Sequence, residues 1–290
     1  MSNDTKLVKS PMNYISGKYK LLPQLLELFP KKINMLYDVF GGRGSISLNV
    51  KANHVYYNDI VNYVPEMFSA LQNETVESAL DKIHKVINKY SLSITNLDGF
   101  NKCRADYNNG DNSWEMFYML VSHSFNYQYR FNNKHEYNSS FGNNRSCYSE
   151  ATEKKFKLFL NRLNNLDIVF NSKDFREIDF SDADENDLVY FDPPYLITTG
   201  NYNDGKRGFK GWNENDELDL LRLCNSLHNQ NARFALSNVF ECKGKSNDIL
   251  KSWSDKYHVT YLNADYGNCN YQAKDKSKNS TIEVLITNYH

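Results

Sequence analysis

The sequence predicts an α/β protein built on a mostly parallel sheet, and three features predict it. Short apolar runs of strand length, "NMLYDVF", "HVYYNDI" and "DLVYFDPPY", alternate with helical patterns. Two of these runs lead into glycine- or proline-rich turns, the usual place for ligand contacts in such sheets. The last two strand patterns, "KYHVTYLNADY" and "STIEVLITNY", have only a polar loop between them, which suits an antiparallel hairpin at the sheet edge.

Taken in order, "KLLPQLLELFP" reads as a helix stopped by Pro30, "NMLYDVF" as a strand, "SISLNVKA" as the helix after it and "HVYYNDI" as the next strand. That is a βαβ order. The texture changes over residues 65–149. "PEMFSALQNETVESALDKIHKVINKY" is helical by its spacing, "SWEMFYMLVSHSF" is another helix, and "NYQYRFNNKHEYNSSFGNNRS" is polar, aromatic and turn-rich. This stretch reads as an inserted module. From residue 150 the α/β texture returns: a helix in "EKKFKLFLNRLNNL", strands in "DIVFNSKDF" and "DLVYFDPPY", a helix in "ENDELDLLRLCNSLHNQ" and a strand in "ARFALSNV".

Composition narrows the function classes. The chain has 290 residues, 40% hydrophobic and 24% charged, with a formal net charge of −1, so any nucleic-acid contact needs a local basic face. No apolar run is long enough to span a bilayer, and "MSNDTKLVKS" has no apolar signal core. Five cysteines without a CxxC pair, and histidines without ligand spacing, argue for free thiols in a reducing cytosol and against a metal site. The 21 tyrosines fit either an aromatic core or base-stacking surfaces.

Two constellations carry chemistry. In "YDVFGGRGSISLNV" a strand ends at Asp38, and Gly41, Gly42 and Gly44 turn the chain; this is a backbone approach to a ligand or an ordinary tight turn. It matches neither GxGxxG nor the phosphate loop that ends in Lys-Ser/Thr. Asp59 closes the next strand, where an acid bonds ribose hydroxyls. The second is Asp192-Pro193-Pro194-Tyr195, directly after an apolar strand. The prolines cannot extend a sheet and stiffen the backbone behind the acid. A carboxylate and a backbone carbonyl at such a turn accept both N–H groups of an exocyclic amine such as adenine N6. They favour a tetrahedral nitrogen and stabilise its developing positive charge. Tyr195 can stack on the base, which reaches the pocket only by leaving the duplex stack.

Together these motifs resemble the DNA adenine-N6 methyltransferases of the alpha group, the Dam-like enzymes that use S-adenosyl-L-methionine. The resemblance implies a Rossmann-like methyltransferase sheet in a catalytic domain of residues 1–64 and 150–290, with residues 65–149 as an inserted, mainly helical target-recognition domain. It places Tyr14 and Lys18 beside the methionine end of the cofactor. It makes "DVFGGRG", with Asp38, Phe40, Gly42 and Gly44, the cofactor loop; Asp38 stands where many members have Glu. It assigns Asp59 to the ribose, Asp174 and Phe175 of "KDF" to the adenine ring of the cofactor, and Asp192, Pro193, Pro194 and Tyr195 to catalysis. It implies an S-adenosyl-L-methionine cofactor, a double-stranded DNA substrate, a bacterial or phage-encoded cytoplasmic enzyme, and a restriction endonuclease in the same system without direct binding.

"SFNYQYRFNNKHEYNSSFG" resembles the target-recognition segment. It gives Asn126, Tyr127, Gln128, Arg130, Asn132 and Ser140 to DNA. Arg130 suits a bidentate contact to guanine, or else a phosphate or carboxylate partner. Phe125, Tyr127, Tyr129 and Phe131 alternate as one core face of a hairpin more readily than as stacking groups. Tyr127 and His135 replace glycines of the family pattern, and Ser140 stands where proline is frequent. These departures, with polar Gln128, argue against carrying over GATC specificity and leave an adenine-containing site with at least one guanine. Trp212 lines the base pocket by resemblance, or packs under the loop 198–211, whose Lys206, Arg207 and Lys210 would close over DNA. The nearest alternatives are a cytosine-N4 methyltransferase, whose motif usually begins with serine, and a non-catalytic DNA-binding module on the same fold.

Overall fold

The structure is a computed structural model that describes residues 7–12, 18–198, 211–263 and 281–290. Tyr14, the loop cations Lys206, Arg207 and Lys210, and Cys269 lie outside the described residues.

The strands are β1 (Met35–Asp38), β2 (His54–Asn58), β3 (Ile168–Asn171), β4 (Leu188–Phe191), β5 (Arg233–Cys242), β6 (Lys245–Ser246), β7 (His258–Leu262) and β8 (Thr281–Thr287). They form one sheet in the order β3-β2-β1-β4-β5-β8-β7, with β6 paired to the end of β5. The first five of that path run parallel. β8 is antiparallel to both β5 and β7, so the expected antiparallel edge is present. The order reverses at β1, which lies between β2 and β4. Ligand crevices of open α/β sheets form at such a point, beyond the carboxyl ends of the strands.

Side-chain alternation divides the apolar residues between the two faces. In β4, Leu188 and Tyr190 join one buried cluster and Val189 and Phe191 the other. All four are buried, as a central parallel strand requires. The first face carries α1 (Leu22–Leu28), α2 (Tyr63–Leu71) and α6 (Glu150–Leu163). The second carries α7 (Glu214–Asn229) and α8 (Asp248–Ser254). Between α2 and α6 lie α3 (Val76–Tyr90), α4 (Leu97–Asn108) and α5 (Trp114–His123). In α3, Thr75 caps the first turn by accepting from Ser78 N, and Ala79, Ile83, Val86 and Tyr90 repeat at helical spacing.

The helical segment shares one continuous apolar cluster with the first sheet face. Phe68 of α2 packs on Tyr57 and Phe170 of the sheet and on Phe159 of α6. Trp114 of α5 stacks on Phe156, with ring centroids 6.2 Å apart.

One expected element is absent. Residues 45–52, expected as a helix, instead form successive turns to Asn49 and then irregular chain. Ile46, Leu48 and Val50 are all buried, and their spacing of two does not build a helical stripe.

Candidate active site

At the carboxyl end of β1 the chain passes through Phe40 into the glycine turn. Gly41 N–H donates to Asn58 O at 2.7 Å, tying the turn to β2. A Cβ at Gly41 would overlap Tyr57 Cε2 and stand 2.6 Å from Cδ2, so only glycine fits against that buried ring. Gly42 and Gly44 have φ of +51° and +72°, the left-handed region that glycine enters freely. Gly42 N–H then donates to Asp59 Oδ2 at 2.8 Å, and Val61 N–H donates to Oδ1 at 2.9 Å. Burial raises the Asp59 carboxyl above its usual range, against those two donors. Each oxygen keeps a further lone pair for a hydroxyl.

Asn58, which no sequence motif marks, braces this corner. Its Nδ2 donates to Val39 O and Lys173 O at 3.0 Å, and its Oδ1 accepts from Lys173 N at 2.8 Å. The side chain therefore fixes the turn after β1 to the turn after β3. Asp38 is buried and accepts from Ser47 N at 3.2 Å and Ser47 Oγ at 2.6 Å. Burial pushes its carboxyl up to about 7, opposed by the Ser47 donors and aided by Asp192 and Asp59 nearby.

Beyond these strand ends lies a cavity of about 420 Å³ whose lining includes Phe40, Ile60, Asp174, Phe175, Pro194 and Trp212. Phe40 meets Phe175 at 5.6 Å and Trp212 at 5.7 Å, and Phe175 meets Trp212 at 5.7 Å. Trp212, which the resemblance put at the base pocket, thus joins the aromatic group expected at the cofactor. Asp174 lines the same cavity, but its carboxylate caps the turn at Arg176 N and pairs with the Arg176 guanidinium at 3.1 Å.

The tetrapeptide follows β4 as expected. Asp192 stands at the strand end with its side chain 23% exposed, and Pro193 behind it is buried. Lys18, 7% exposed, places its ammonium 3.2 Å from Asp192 Oδ1 and also pairs with Glu283 of β8, whose side chain is fully buried. The Tyr195 hydroxyl accepts from Lys18 Nζ and lies 3.2 Å from both Asp192 Oδ1 and Glu283 Oε1. Burial raises the Asp192 carboxyl; Lys18 pulls it down and Glu283 pushes it up. Burial also opposes the Lys18 charge, but Asp192 and Glu283 outweigh it and hold the ammonium well above its ordinary range. Glu283 stands in a strand pattern that carries no assigned role, although a lone acid within the apolar run "TIEVLIT" is the signal that could have found it.

The segment 124–141 is a loose hairpin with bridges Ser124–Phe141 and Phe131–Tyr137. Its aromatics divide. Phe131 is buried and stacks on Tyr63 at 3.6 Å, and Tyr129 packs edge-on to Phe117, whereas Phe125 is 43% exposed under the Arg145 guanidinium. Asn126 and Tyr127 both have φ of 56°, and His135 has φ of 63°, so the two residues that replace family glycines keep glycine's backbone. Arg130 is exposed and donates to Gln128 Oε1 at 3.4 Å. Asn132 is engaged within the hairpin tip: Oδ1 accepts from Lys134 N and Glu136 N at 2.9 and 3.0 Å, and Nδ2 donates to Glu136 Oε2 at 2.6 Å. Ser140 is exposed, and its carbonyl accepts from Phe125 N at 2.8 Å. Among the described residues there is no His/Cys/Asp/Glu group that could hold a metal ion and no helix long and apolar enough to cross a membrane.

Comparison with known proteins places the chain in a family. The chain is 46% identical over 291 residues to the modification methylase StsI of Streptococcus sanguinis, covering all of this chain and 44% of that protein. It is 44% identical over 282 residues to the type II methyltransferase M.FokI of Planomicrobium okeanokoites, covering 97% of this chain and 43% of that protein. A DNA adenine methylase of Haemophilus influenzae is 25% identical over 187 residues, 63% of each chain. The chain thus spans less than half the length of the first two relatives. The family model for D12 class N6 adenine-specific DNA methyltransferases matches residues 14–267. The chain therefore belongs to the D12 class of N6 adenine-specific DNA methyltransferases.

Proposed function

We propose that this chain transfers a methyl group from S-adenosyl-L-methionine to N6 of an adenine extruded from double-stranded DNA. The observation that carries the reading is Asp192, a partly open carboxylate held beside the buried Lys18 ammonium at 3.2 Å, in a turn whose Pro194 lines an aromatic-walled cavity.

The residues present fit the cofactor. Phe40, Phe175 and Trp212 offer apolar faces to a nucleoside ring, and Asp59 offers lone pairs to its hydroxyls. S-adenosyl-L-methionine, when bound, supplies an electrophilic methyl on a sulfonium. The protein does the rest by positioning and electrostatics. Asp192 and the Pro193 carbonyl accept the two N–H groups of the adenine amine, turning the nitrogen lone pair away from the ring. The Asp192 carboxylate also stands ready for the proton the nitrogen sheds. Lys18 opposes the rise that burial imposes on that carboxyl and so favours its ionised form. Tyr195 is held by Lys18 and stacks on the extruded base.

The segment 65–149 serves as the target-recognition part, with the exposed face of the hairpin, from Phe125 to Arg130, meeting DNA. The left-handed Asn126 and Tyr127 support this, because strained backbone concentrates at working sites. Asn132 builds the hairpin tip rather than reading a base. The relatives named as modification methylases support a place in a bacterial restriction-modification system, in the cytoplasm. Incubating the chain with duplex DNA and methyl-labelled S-adenosyl-L-methionine, then identifying the modified nucleoside, tests the reading. N6-methyladenine is expected. N4-methylcytosine, or DNA binding without transfer, would overturn it.

A further inference from the structure

Glu217, in the first turn of α7, is fully buried, and the chemistry above does not use it. It stands on the apolar face of the helix, with Leu220, Leu221 and Cys224 three, four and seven residues on. A carboxylate there needs partners, and it has three from three separate segments. Trp212 Nε1 donates to Oε2 at 2.7 Å. Asn238 Nδ2 of β5 and Asn247 Nδ2, the cap of α8, donate to Oε1 at 3.2 and 2.9 Å. The two oxygens thus have different duties: one is anchored to the scaffold, and the other holds the indole.

We propose that Glu217 is the positioning residue for Trp212: it fixes the plane of the indole as the wall of the nucleoside cavity. This rests on the reading of that cavity as the cofactor site. The indole touches Phe40 and Phe175 with its rings and meets Glu217 with its N–H, so one hydrogen bond sets its rotation. Asn238 and Asn247 fix the carboxylate in turn to β5 and α8, both parts of the second apolar layer. Burial raises the Glu217 carboxyl, and the Trp212, Asn247 and Asn238 donors oppose that shift.

The asymmetry of the two oxygens gives a clean test. In Glu217→Gln the carbonyl oxygen stays with the two asparagines, while the new NH2 group faces the indole N–H and breaks that tie alone. Trp212→Phe removes the same bond from the other side and keeps an aromatic wall. Binding of S-adenosylhomocysteine is measured by titration calorimetry on the full chain, and the kinetic constants by methyl transfer. Loss of one charge-assisted hydrogen bond predicts roughly tenfold weaker binding in each variant. The double variant should bind no worse than the weaker single one. KM for S-adenosyl-L-methionine should rise with kcat within about twofold. If the wild-type chain takes up no S-adenosylhomocysteine, the cofactor reading of the cavity falls and this proposal with it. If the wild-type chain binds and the folded variants bind equally well, or the two losses add, only the positioning role is overturned. Should Glu217→Gln fail to fold, Trp212→Phe decides alone: unchanged affinity overturns the proposal, and a loss with kcat preserved supports it.

Discussion

Replacing Lys18 by methionine leaves two acids facing each other without their cation. Asp192 and Glu283 share the ammonium in the present structure, and both already sit in a largely buried setting. At an effective dielectric of ~20, unit charges at the Lys18–Asp192 distance of 3.2 Å attract by about 5 kcal/mol. Removing an attraction of that order moves the Asp192 titration. The direction is upward, because burial and Glu283 both raise Asp192 and Lys18 is the main force lowering it. Asp192 must be ionised to accept the substrate amine. The acid limb of kcat should therefore shift to higher pH in Lys18→Met. The assay is methyl transfer at saturating DNA and cofactor from about pH 5.5 to 9, with folding checked by circular dichroism. The variant should lose more activity at the acid end of that range than at the alkaline end. A loss of equal size at every pH would show instead that Lys18 acts otherwise than on the charge of Asp192.

Further outcomes follow from particular contacts. Gly41→Ala sets a methyl 2.6 Å from Cδ2 of Tyr57, whose ring is buried between Phe68 and Phe170. It should cost about 2 kcal/mol in urea unfolding and weaken S-adenosylhomocysteine binding, and no change in either would count against the close fit of the turn to that ring. His135→Gly relieves an exposed left-handed residue with φ of 63° and should stabilise the fold by up to about 1 kcal/mol in the same experiment; a loss of that size would refute it. Asp38 has its carboxyl raised by burial from 3.8 to about 7, so the folded chain holds that proton more tightly than the unfolded one. Its contribution favours the fold at low pH and fades as pH rises through that interval, by at most about 4 kcal/mol. The Tm advantage of Asp38→Asn over the natural residue should therefore grow between about pH 5 and pH 8. An advantage independent of pH would contradict this.

The parts of the fold set by local pattern are legible in the sequence. β4 and its proline turn can be read because four consecutive buried residues end at an acid and two residues that cannot extend a sheet. Residues 45–52 are not the helix expected of them: Ile46, Leu48 and Val50 repeat every second residue, and Gly44 just before them takes a left-handed backbone. α4 escapes a reading by pattern because Gly99 and its asparagines weaken helical propensity, even though Phe100, Cys103 and Tyr107 mark one face. The polar partners are harder still. Lys18 meets Glu283 across 265 residues of chain, and Asn58 meets Lys173 across 115. No local spacing encodes such pairs. Only the type of residue, a lone polar group in an apolar run, hints that a partner exists.

The most direct measurement is the rate of label transfer from S-adenosyl-L-methionine to duplex DNA by Asp192→Ala, beside an unaltered chain with matched cofactor binding. Loss of a positioned acceptor at the reacting amine predicts a fall of at least about a hundredfold in kcat with the affinity for S-adenosylhomocysteine largely kept. Undiminished transfer by the alanine variant would contradict the assignment of the reaction to this turn.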